Sequence, residues 1–252
     1  FIVLIMIGVQ WGFYDTYTSH FPNFENSTTV IHIHGALMMT WLTLLVVQPM
    51  LIYYKKAKLH RSIGKASFVL GPMIIISLFL VGRGGYWRGL GNVPEVFNLG
   101  VMALDIRGLF SFAIFWALAM VYRKTPAAHM RYMIATGILA IGPGVGRGLM
   151  ASFGLSLYPA ISMTDVLELV IVGTLLGLDL VKKKDYKPYL VVFSVLLMGD
   201  FRQIPPIGSV SLIHDALYPK KAQEHGCLFR KFKTIVFDEQ VRAQDPIQKE
   251  FV

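Results

Sequence analysis

Five stretches of this chain are apolar over about 17 to 25 residues, the length that an α-helix needs to cross a bilayer core about 30 Å thick. The clearest covers residues 30–53 and contains no Lys, Arg, Asp or Glu. The other four are 66–82, 99–122, 132–152 and 162–181. Two shorter apolar segments, 1–14 and 189–199, have the composition of incomplete spans. We expect the first of these to be the tail of a span that begins before Phe1.

Composition separates a long apolar region from a short polar one. Hydrophobic residues make up 54% and charged residues only 15% of the sequence, whereas about a quarter of a soluble domain is charged. This excludes a disordered chain and an ordinary soluble enzyme over most of the length. We predict an all-α fold over residues 1–198, a polytopic transmembrane helix bundle of five complete and two partial spans. Residues 199–252 read as a short soluble α/β-type fragment, too small to fold well alone.

The placement of Lys and Arg predicts how the bundle is oriented. The loops 54–65, 123–131 and 182–187 together carry 12 of these residues. The loops on the opposite side carry only Arg83 and Arg88. Because cytoplasmic loops of membrane proteins are rich in Lys and Arg, the three basic loops are predicted to be cytoplasmic. The lipid bilayer is accordingly the expected partner.

Polar side chains inside the predicted spans are the candidate functional residues, because each ionisable one costs about 2.5–3.5 kcal/mol at the centre of a membrane helix. They are His32, His34, Gln48, Asp105, Arg107, Arg147, Asp165 and Glu168. The ionisable members lie in the half of each span that faces away from the basic loops. Two interpretations fit this arrangement: ion pairs that lock the bundle, with Arg147 meeting Asp165 or Glu168, or a solvated cavity that binds a polar or redox-active ligand.

Four histidines are candidate cofactor ligands. His32 and His34 are two residues apart and therefore face different sides of a helix, so at most one of them is a ligand. His60 and His129 begin two helices at the basic end, where they are either interfacial residues beside lipid phosphate or axial ligands of haem b. His34, His60 and His129 are the candidates for a haem or quinone site. The single cysteine, Cys227, excludes a cysteine-based metal site, and no metal site is predicted.

Residues 142–148 are unusually rich in glycine and include Arg147. The segment is not a phosphate-binding loop, because it lacks the Gly-Lys-Ser/Thr ending. Two interpretations remain: glycines that allow close helix packing, or a helix break that exposes Arg147 to a cavity.

The spaced polar residues of the bundle resemble those of a family of predicted polytopic membrane proteins, domain-of-unknown-function family 2306. The matching positions, in order, are His32, His34, Gly35, Trp41, Gln48, His60, Arg61, Gly64, Pro126, His129, Arg131, Met133, Gly142, Pro143 and Arg147. The resemblance covers about residues 1–197 and implies a bundle of about seven helices with no established reaction. It also implies a functional role for His34, Gln48, His60, His129 and Arg147.

The polar C-terminal segment is similar to a different class, the PIF-type DNA helicases, including those of Helitron transposons. The segment that begins Met198-Gly-Asp-Phe-Arg-Gln-Ile-Pro-Pro carries the likeness, together with residues 237–245. In that family the glutamine matching Gln203 senses the nucleotide phosphate. The chain has no Gly-x-x-x-x-Gly-Lys-Ser/Thr motif, so we expect this fragment to be inactive and expect no nucleic-acid partner. Our hypothesis is a fused or mispredicted reading frame that cuts the bundle inside its seventh helix.

Three classes of function follow. The first is electron transfer through a bound haem or quinone, with His60 and His129 on the inner side and His34 with Arg147 in an outer pocket. The second is a transporter or proton relay that uses the ionisable residues Asp105, Arg107, Arg147, Asp165 and Glu168. The third is a non-catalytic membrane scaffold that uses the same residues for stability. No residue is assigned a catalytic role.

Overall fold

The computed structural model describes residues 1–24 and 27–200, and the regular structure in these ranges is helical throughout. The α-helices are α1 (Ile2–Phe13), α2 (Thr29–Tyr53), α3 (Ala57–Gly64), α4 (Ser67–Gly89), α5 (Glu95–Val121), α6 (Pro126–Ile138), α7 (Ile141–Phe153), α8 (Leu157–Val181) and α9 (Lys187–Asp200). The predicted all-α fold is confirmed for this part of the chain. Residues 201–252, which make up most of the predicted α/β-type fragment, lie outside the described residues.

Five helical segments are long and apolar enough to cross a membrane. They are Thr29–Tyr53, Ala57–Gly89, Phe97–Lys124, Pro126–Phe153 and Leu157–Val181. The predicted number of five spans is therefore confirmed, and the architecture is that of a multi-pass membrane protein. The second segment starts at Ala57 instead of residue 66, because α3 leads into α4 across only Lys65 and Ala66. The helices α1 and α9 are apolar but shorter.

The outer surface of the described bundle is strongly apolar, which suits a lipid environment. Large hydrophobic side chains such as Leu4, Val121 and Val166 are 69%, 73% and 59% exposed. Lipid tails are as apolar as these side chains, so exposing them to lipid costs nothing. Inside the bundle, the buried Trp41 of α2 donates its indole N–H to Thr136 Oγ1 of α6 over 3.0 Å. The buried indole N–H of Trp41 therefore has a hydrogen-bond acceptor within the core.

Glycines allow α1 and α7 to pack closely. Each helix carries a pair four residues apart: Gly8 and Gly12 on α1, Gly144 and Gly148 on α7. A Cβ on Gly12 would overlap the carbonyl oxygen of Gly144, and a Cβ on Gly144 would lie 2.9 Å from the Cα of Val9. This is the small-residue packing typical of membrane helices. Of the two predicted interpretations of the glycine-rich segment, close packing is thus confirmed.

The fourth span is interrupted near its middle, where α6 ends and α7 begins. The interruption leaves backbone N–H groups of the first turn of α7 without carbonyl partners inside the helix. The N–H of Gly142 donates to Glu168 Oε1 of α8 over 3.1 Å, and Pro143 has no N–H to satisfy. A carboxylate at this position also suits the positive end of the helix dipole. Glu168 therefore has a structural task at this break.

A buried ion pair ties α6 to α8 at the other end of the bundle. Arg131 Nε lies 2.6 Å from Asp179 Oδ2, and Arg131 Nη2 donates to Asp179 Oδ1 over 2.9 Å. Nη1 donates to the Ala127 carbonyl, and the guanidinium carbon lies 5.6 Å from the ring centre of Tyr189 on α9. The segment 123–131 was predicted to be a loop, but Arg131 lies in α6 and is only 4% exposed. The predicted loop therefore ends where α6 begins, at Pro126, and Arg131 is available to pair with Asp179 inside the bundle.

Candidate functional site

Three of the predicted candidate residues, each on a different helix, lie near one another. All three are at the end of the bundle where α2, α5 and α8 begin, which we call the site end. They are His34 on α2, Asp105 on α5 and Arg147 on α7. The Arg147 guanidinium is close enough to interact electrostatically with both Asp105 and His34. Asp105 also lies against Gly82 of α4, where an added Cβ would be 3.0 Å from the Asp105 Cβ and 3.2 Å from its Oδ2. We call this group the His34–Asp105–Arg147 site.

The two opposite charges of this site are near each other but not joined. Arg147 donates from Nη1 to the Pro143 carbonyl of its own helix over 3.0 Å, and its guanidinium carbon lies 4.7 Å from the ring centre of Phe13. Within residues 1–24 and 27–200, neither Arg147 nor Asp105 forms a direct ion pair. Arg147 keeps exposed surface, although the surrounding helices crowd its guanidinium. Among the described residues, the hydrogen bond that the guanidinium donates is the one from Nη1 to Pro143, so its other N–H groups have the capacity to bind a ligand or water.

The neighbouring Arg107 and Asp165, in contrast, form a direct ion pair. Arg107 Nη2 of α5 lies 2.7 Å from Asp165 Oδ1 of α8, and the two side chains are 18% and 8% exposed. One of the two interpretations of the sequence paired Arg147 with Asp165 or Glu168, but the structure pairs Asp165 with Arg107 instead. Helix α7 also packs against α8, but its Arg147 side chain lies against Phe13 of α1, whereas Arg107 reaches Asp165 from α5. The ion-pair interpretation is thus correct for Asp165, but with a different arginine.

The hydrogen bonds of His34 determine which ring nitrogen carries the proton. His34 Nδ1 lies 2.9 Å from Ser77 Oγ of α4, and the Ser77 hydroxyl donates to the Ile74 carbonyl over 2.8 Å. With the single proton of the hydroxyl directed to the Ile74 carbonyl, Ser77 Oγ accepts from the Nδ1–H of His34. The Nε2 of the neutral ring is then unprotonated, and it is free to accept a proton or a hydrogen bond.

An apolar groove of about 170 Å³ lies between α2 and α4 beside this pair. Its lining consists of Val30, Ile33, Leu37, Met73, Ile76, Ser77 and Leu80. Ile33 and Ile76 are 51% and 58% exposed, so the groove opens to the lipid-facing surface. Ser77 is the polar residue in the lining, and it is hydrogen-bonded to His34.

His32 belongs to a separate group of residues. Its Nδ1 lies 2.6 Å from the hydroxyl oxygen of Tyr17, and its ring meets that of Phe24 edge-on with centres 5.1 Å apart. His32 therefore contacts the segment between α1 and α2, whereas His34 contacts α4. The i,i+2 spacing requires such a difference between the two rings.

Gln48 and His60 meet at the opposite end of the bundle. With the Gln48 amide assigned in the orientation that satisfies its neighbours, its nitrogen donates to the His60 carbonyl over 3.2 Å and to His60 Nδ1, and its oxygen accepts from the Gly64 N–H over 3.2 Å. Because Nδ1 of His60 accepts a hydrogen bond, the proton of the neutral ring is on Nε2. In His129 the opposite holds: Nδ1 donates to the Ala119 carbonyl over 2.8 Å, which leaves Nε2 without a proton.

These bonds bear on the predicted haem ligands. Iron binds an unprotonated imidazole nitrogen, which His34 and His129 present and which the neutral ring of His60 does not. Gln48 holds His60 and α3 against α2, whereas His129 is bound to the end of α5. The two rings therefore have different neighbours in the described structure, and the assignment of His60 and His129 as axial haem ligands stays a prediction.

Sequence reasoning missed three residues that shape these contacts: Ser77, Gly82 and Asp179. Asp179 carried a readable signal, because it follows Asp165 by 14 residues and thus lies on nearly the same face of α8. Ser77 interrupts an apolar run, but a lone serine is common in membrane helices. Gly82 carried no signal, because its role depends on which helix lies opposite.

Comparison with models of known protein families, with curated proteins and with solved structures finds no match to this chain. The two resemblances described above therefore stay predictions.

Proposed function

We propose that this chain is a multi-pass membrane protein that works as a proton relay or proton-coupled transporter, with His34, Asp105 and Arg147 as its working residues. One observation carries the proposal: Asp105 and Arg147 are close enough to interact electrostatically, yet no direct ion pair joins them in the part of the chain that the structure describes. A charge inside a membrane bundle is costly, and the pairs Arg107–Asp165 and Arg131–Asp179 offset that cost by bonding. Asp105 and Arg147 do not offset the cost of their charges in this way, which is typical of intramembrane charged residues with a functional role.

The chemistry of the three groups suits proton movement. A carboxylate and an imidazole each gain and lose a proton readily, and Arg147 stays protonated in proteins. Arg147 thus supplies a fixed positive charge beside Asp105. His34 offers an unprotonated Nε2, because its Nδ1–H is bound to Ser77. In this proposal Asp105 and His34 carry the proton, while Arg147 binds water or the anionic part of a solute between them.

The proposal includes an orientation. The basic loops 54–65, 123–131 and 182–187 face the cytoplasm, and the site end faces the other side of the membrane. The bias of Lys and Arg toward these loops supports this orientation. It remains strong when Arg131, which is buried in α6, is left out of the count.

Proton flux into liposomes tests the proposed function. The purified chain is reconstituted into liposomes that contain the pH dye pyranine, and a pH gradient is applied with potassium and valinomycin present. We expect the wild-type protein to raise the rate of internal pH change above that of protein-free liposomes. We expect Asp105→Asn and His34→Gln to lower the protein-dependent rate by about 100-fold, because a positioned proton carrier contributes about 10²–10⁴-fold.

Asp15→Asn is the matched control, since Asp15 is an exposed acid in the segment before α2. It should conduct like the wild type. An Asp105→Asn variant that conducts at the wild-type rate would remove Asp105 from the path. A wild-type protein with no flux of its own would rule out a proton relay.

A second candidate function is electron transfer through a quinone. The lipid-facing groove between α2 and α4 favours it, because a membrane-dissolved quinone fits an apolar groove whose lining includes Ser77, the residue hydrogen-bonded to His34. Apolar pockets with a few polar groups are typical of small-molecule sites. In the liposome experiment, a wild-type protein without flux but with quinone, or a dithionite-reducible haem, retained through purification would favour this function.

A further inference from the structure

The short helix α3 separates basic from apolar side chains. Lys58 and Arg61 of α3 and Lys65, the residue directly after it, are spaced three and four residues apart, which helix geometry puts on one face; we call it the α3 basic face. Leu59 and Ile63 lie on another, and Leu59 is 45% exposed. A helix with this pattern lies in the interface of a membrane, with its cations at the level of the lipid headgroups.

Contacts from two neighbouring helices hold α3 and the start of α4 in place. Gln48 of α2 binds the His60 carbonyl and the Gly64 N–H, so both the middle and the end of α3 are fixed. Just beyond α3, the Ser67 carbonyl accepts from the indole N–H of Trp116 on α5 over 3.1 Å. The α3 basic face is thus presented by a rigid element rather than by a loose loop.

A fourth cation lies beside this face. The guanidinium carbon of Arg123, in the turn after α5, lies 5.5 Å from the ring centre of Phe68 at the start of α4. Phe68 is three residues beyond Lys65. The cations of the α3 basic face and Arg123, from the turn after α5, therefore lie at the same edge of the bundle.

The positive charge at this edge has no counterpart in the described residues. Lys58, Arg61, Lys65 and Arg123 are all exposed, and none of them is paired with a carboxylate within residues 1–24 and 27–200. Two acids lie at this end of the bundle. Asp179 is bound to Arg131, and Asp185 accepts from the backbone N–H of Lys187. An anionic partner for this edge would therefore come from outside this part of the chain.

We propose that the α3 basic face and Arg123 together bind the headgroups of anionic phospholipids. The phosphate of a lipid at the bilayer surface lies at the depth of an interfacial helix, and Leu59 can contact its acyl chains. Each Lys or Arg near an anionic surface attracts it, and four on a rigid edge form a local site. The proposal is independent of the proton relay, because it uses none of its residues.

Thermal unfolding in lipid nanodiscs tests this inference. The wild-type protein is placed in nanodiscs of phosphatidylcholine alone and of phosphatidylcholine mixed with phosphatidylglycerol, and its Tm is measured by intrinsic fluorescence. We expect the Tm to rise with the phosphatidylglycerol fraction, and native mass spectrometry to detect retained phosphatidylglycerol. The variant Lys58→Gln/Lys65→Gln should lose most of the rise and most of the retained lipid.

The matched control is Arg83→Gln/Arg88→Gln, which removes the same charge from exposed positions near the other end of α4. It should respond to phosphatidylglycerol like the wild type. An equal loss in both double variants would mean that only total charge matters, which contradicts a local site. If inorganic phosphate in pure phosphatidylcholine nanodiscs produced the same rise in Tm, the site would bind free phosphate and the lipid proposal would be overturned.

Discussion

Asp179→Asn is expected to lower the free energy of unfolding by about 3–5 kcal/mol, because it leaves a buried arginine without its partner. Arg131 and Asp179 are only 4% and 7% exposed, and they share two hydrogen bonds. The amide that replaces the carboxylate cannot balance the guanidinium charge. Unfolding of the purified protein in mixed micelles, followed by circular dichroism over a denaturant series, measures the loss.

Two further variants make this result specific. Asp105→Asn makes the same chemical change at a carboxylate without a direct ion pair, and its unfolding free energy should stay within about 1 kcal/mol of the wild type. The double variant Arg131→Met/Asp179→Leu should recover most of the lost stability, since apolar replacement of a buried pair is often neutral or stabilising by about 1–4 kcal/mol. An Asp179→Asn variant as stable as Asp105→Asn would contradict the assigned ion pair.

Gly12→Ala is expected to separate α1 from α7 and to destabilise the bundle at or above the upper end of the usual overpacking cost of about 1–3 kcal/mol. The added methyl group would meet the backbone carbonyl of Gly144, which cannot rotate away as a side chain could. Helix α1 must therefore shift, and the contact of Arg147 with the Phe13 ring shifts with it. The Tm in detergent and the monodispersity on size-exclusion chromatography measure the effect.

Gly85→Ala is the control for this substitution. Gly85 lies inside α4, and an added Cβ there would have no atom within 4 Å. Alanine is the better helix former by about 1 kcal/mol, so this variant should be as stable as the wild type or slightly more so. Equal behaviour of Gly12→Ala and Gly85→Ala would mean that the α1–α7 contact does not contribute to stability.

The membrane spans could be predicted from the sequence because the bilayer imposes one strong condition on every helix. About 20 apolar residues are needed to cross it, and the stretches that satisfy this condition stand out in the chain. The bounds were less predictable. Residues 57–65 were read as a basic loop, yet most of them form α3, since a short amphipathic helix is polar on average but apolar on one face.

The choice of charge partners could not be predicted in the same way. Hydropathy gives the depth of Arg107 and Arg147 but not the rotation of α5 and α7, and the rotation decides which arginine meets Asp165. The sequence left open a helix break within residues 142–148, but the break lies between Ile138 and Ile141, and the carboxylate that binds the first turn of α7 comes from α8. The proton positions of His34, His60 and His129 depend on hydrogen-bond partners in other helices, which the sequence around each histidine does not predict.

Cysteine labelling tests the central claim most directly, namely that water reaches Arg147 inside a bundle whose outer surface faces lipid. The chain has one cysteine, Cys227, so Arg147→Cys and Val166→Cys can each be made in a Cys227→Ser background. Val166 is the matched lipid-facing position, since it is 59% exposed and lies within about three turns of the start of α8. Sealed membranes are treated from each side with a charged methanethiosulfonate, which reacts with hydrated thiols.

We predict that Arg147→Cys is modified from the side opposite the basic loops and that Val166→Cys is not modified from either side. Modification of both at similar rates would mean that the apolar surface faces water and not lipid. Failure to modify Arg147→Cys from either side would mean that the His34–Asp105–Arg147 site is dry, and it would contradict the proposed function.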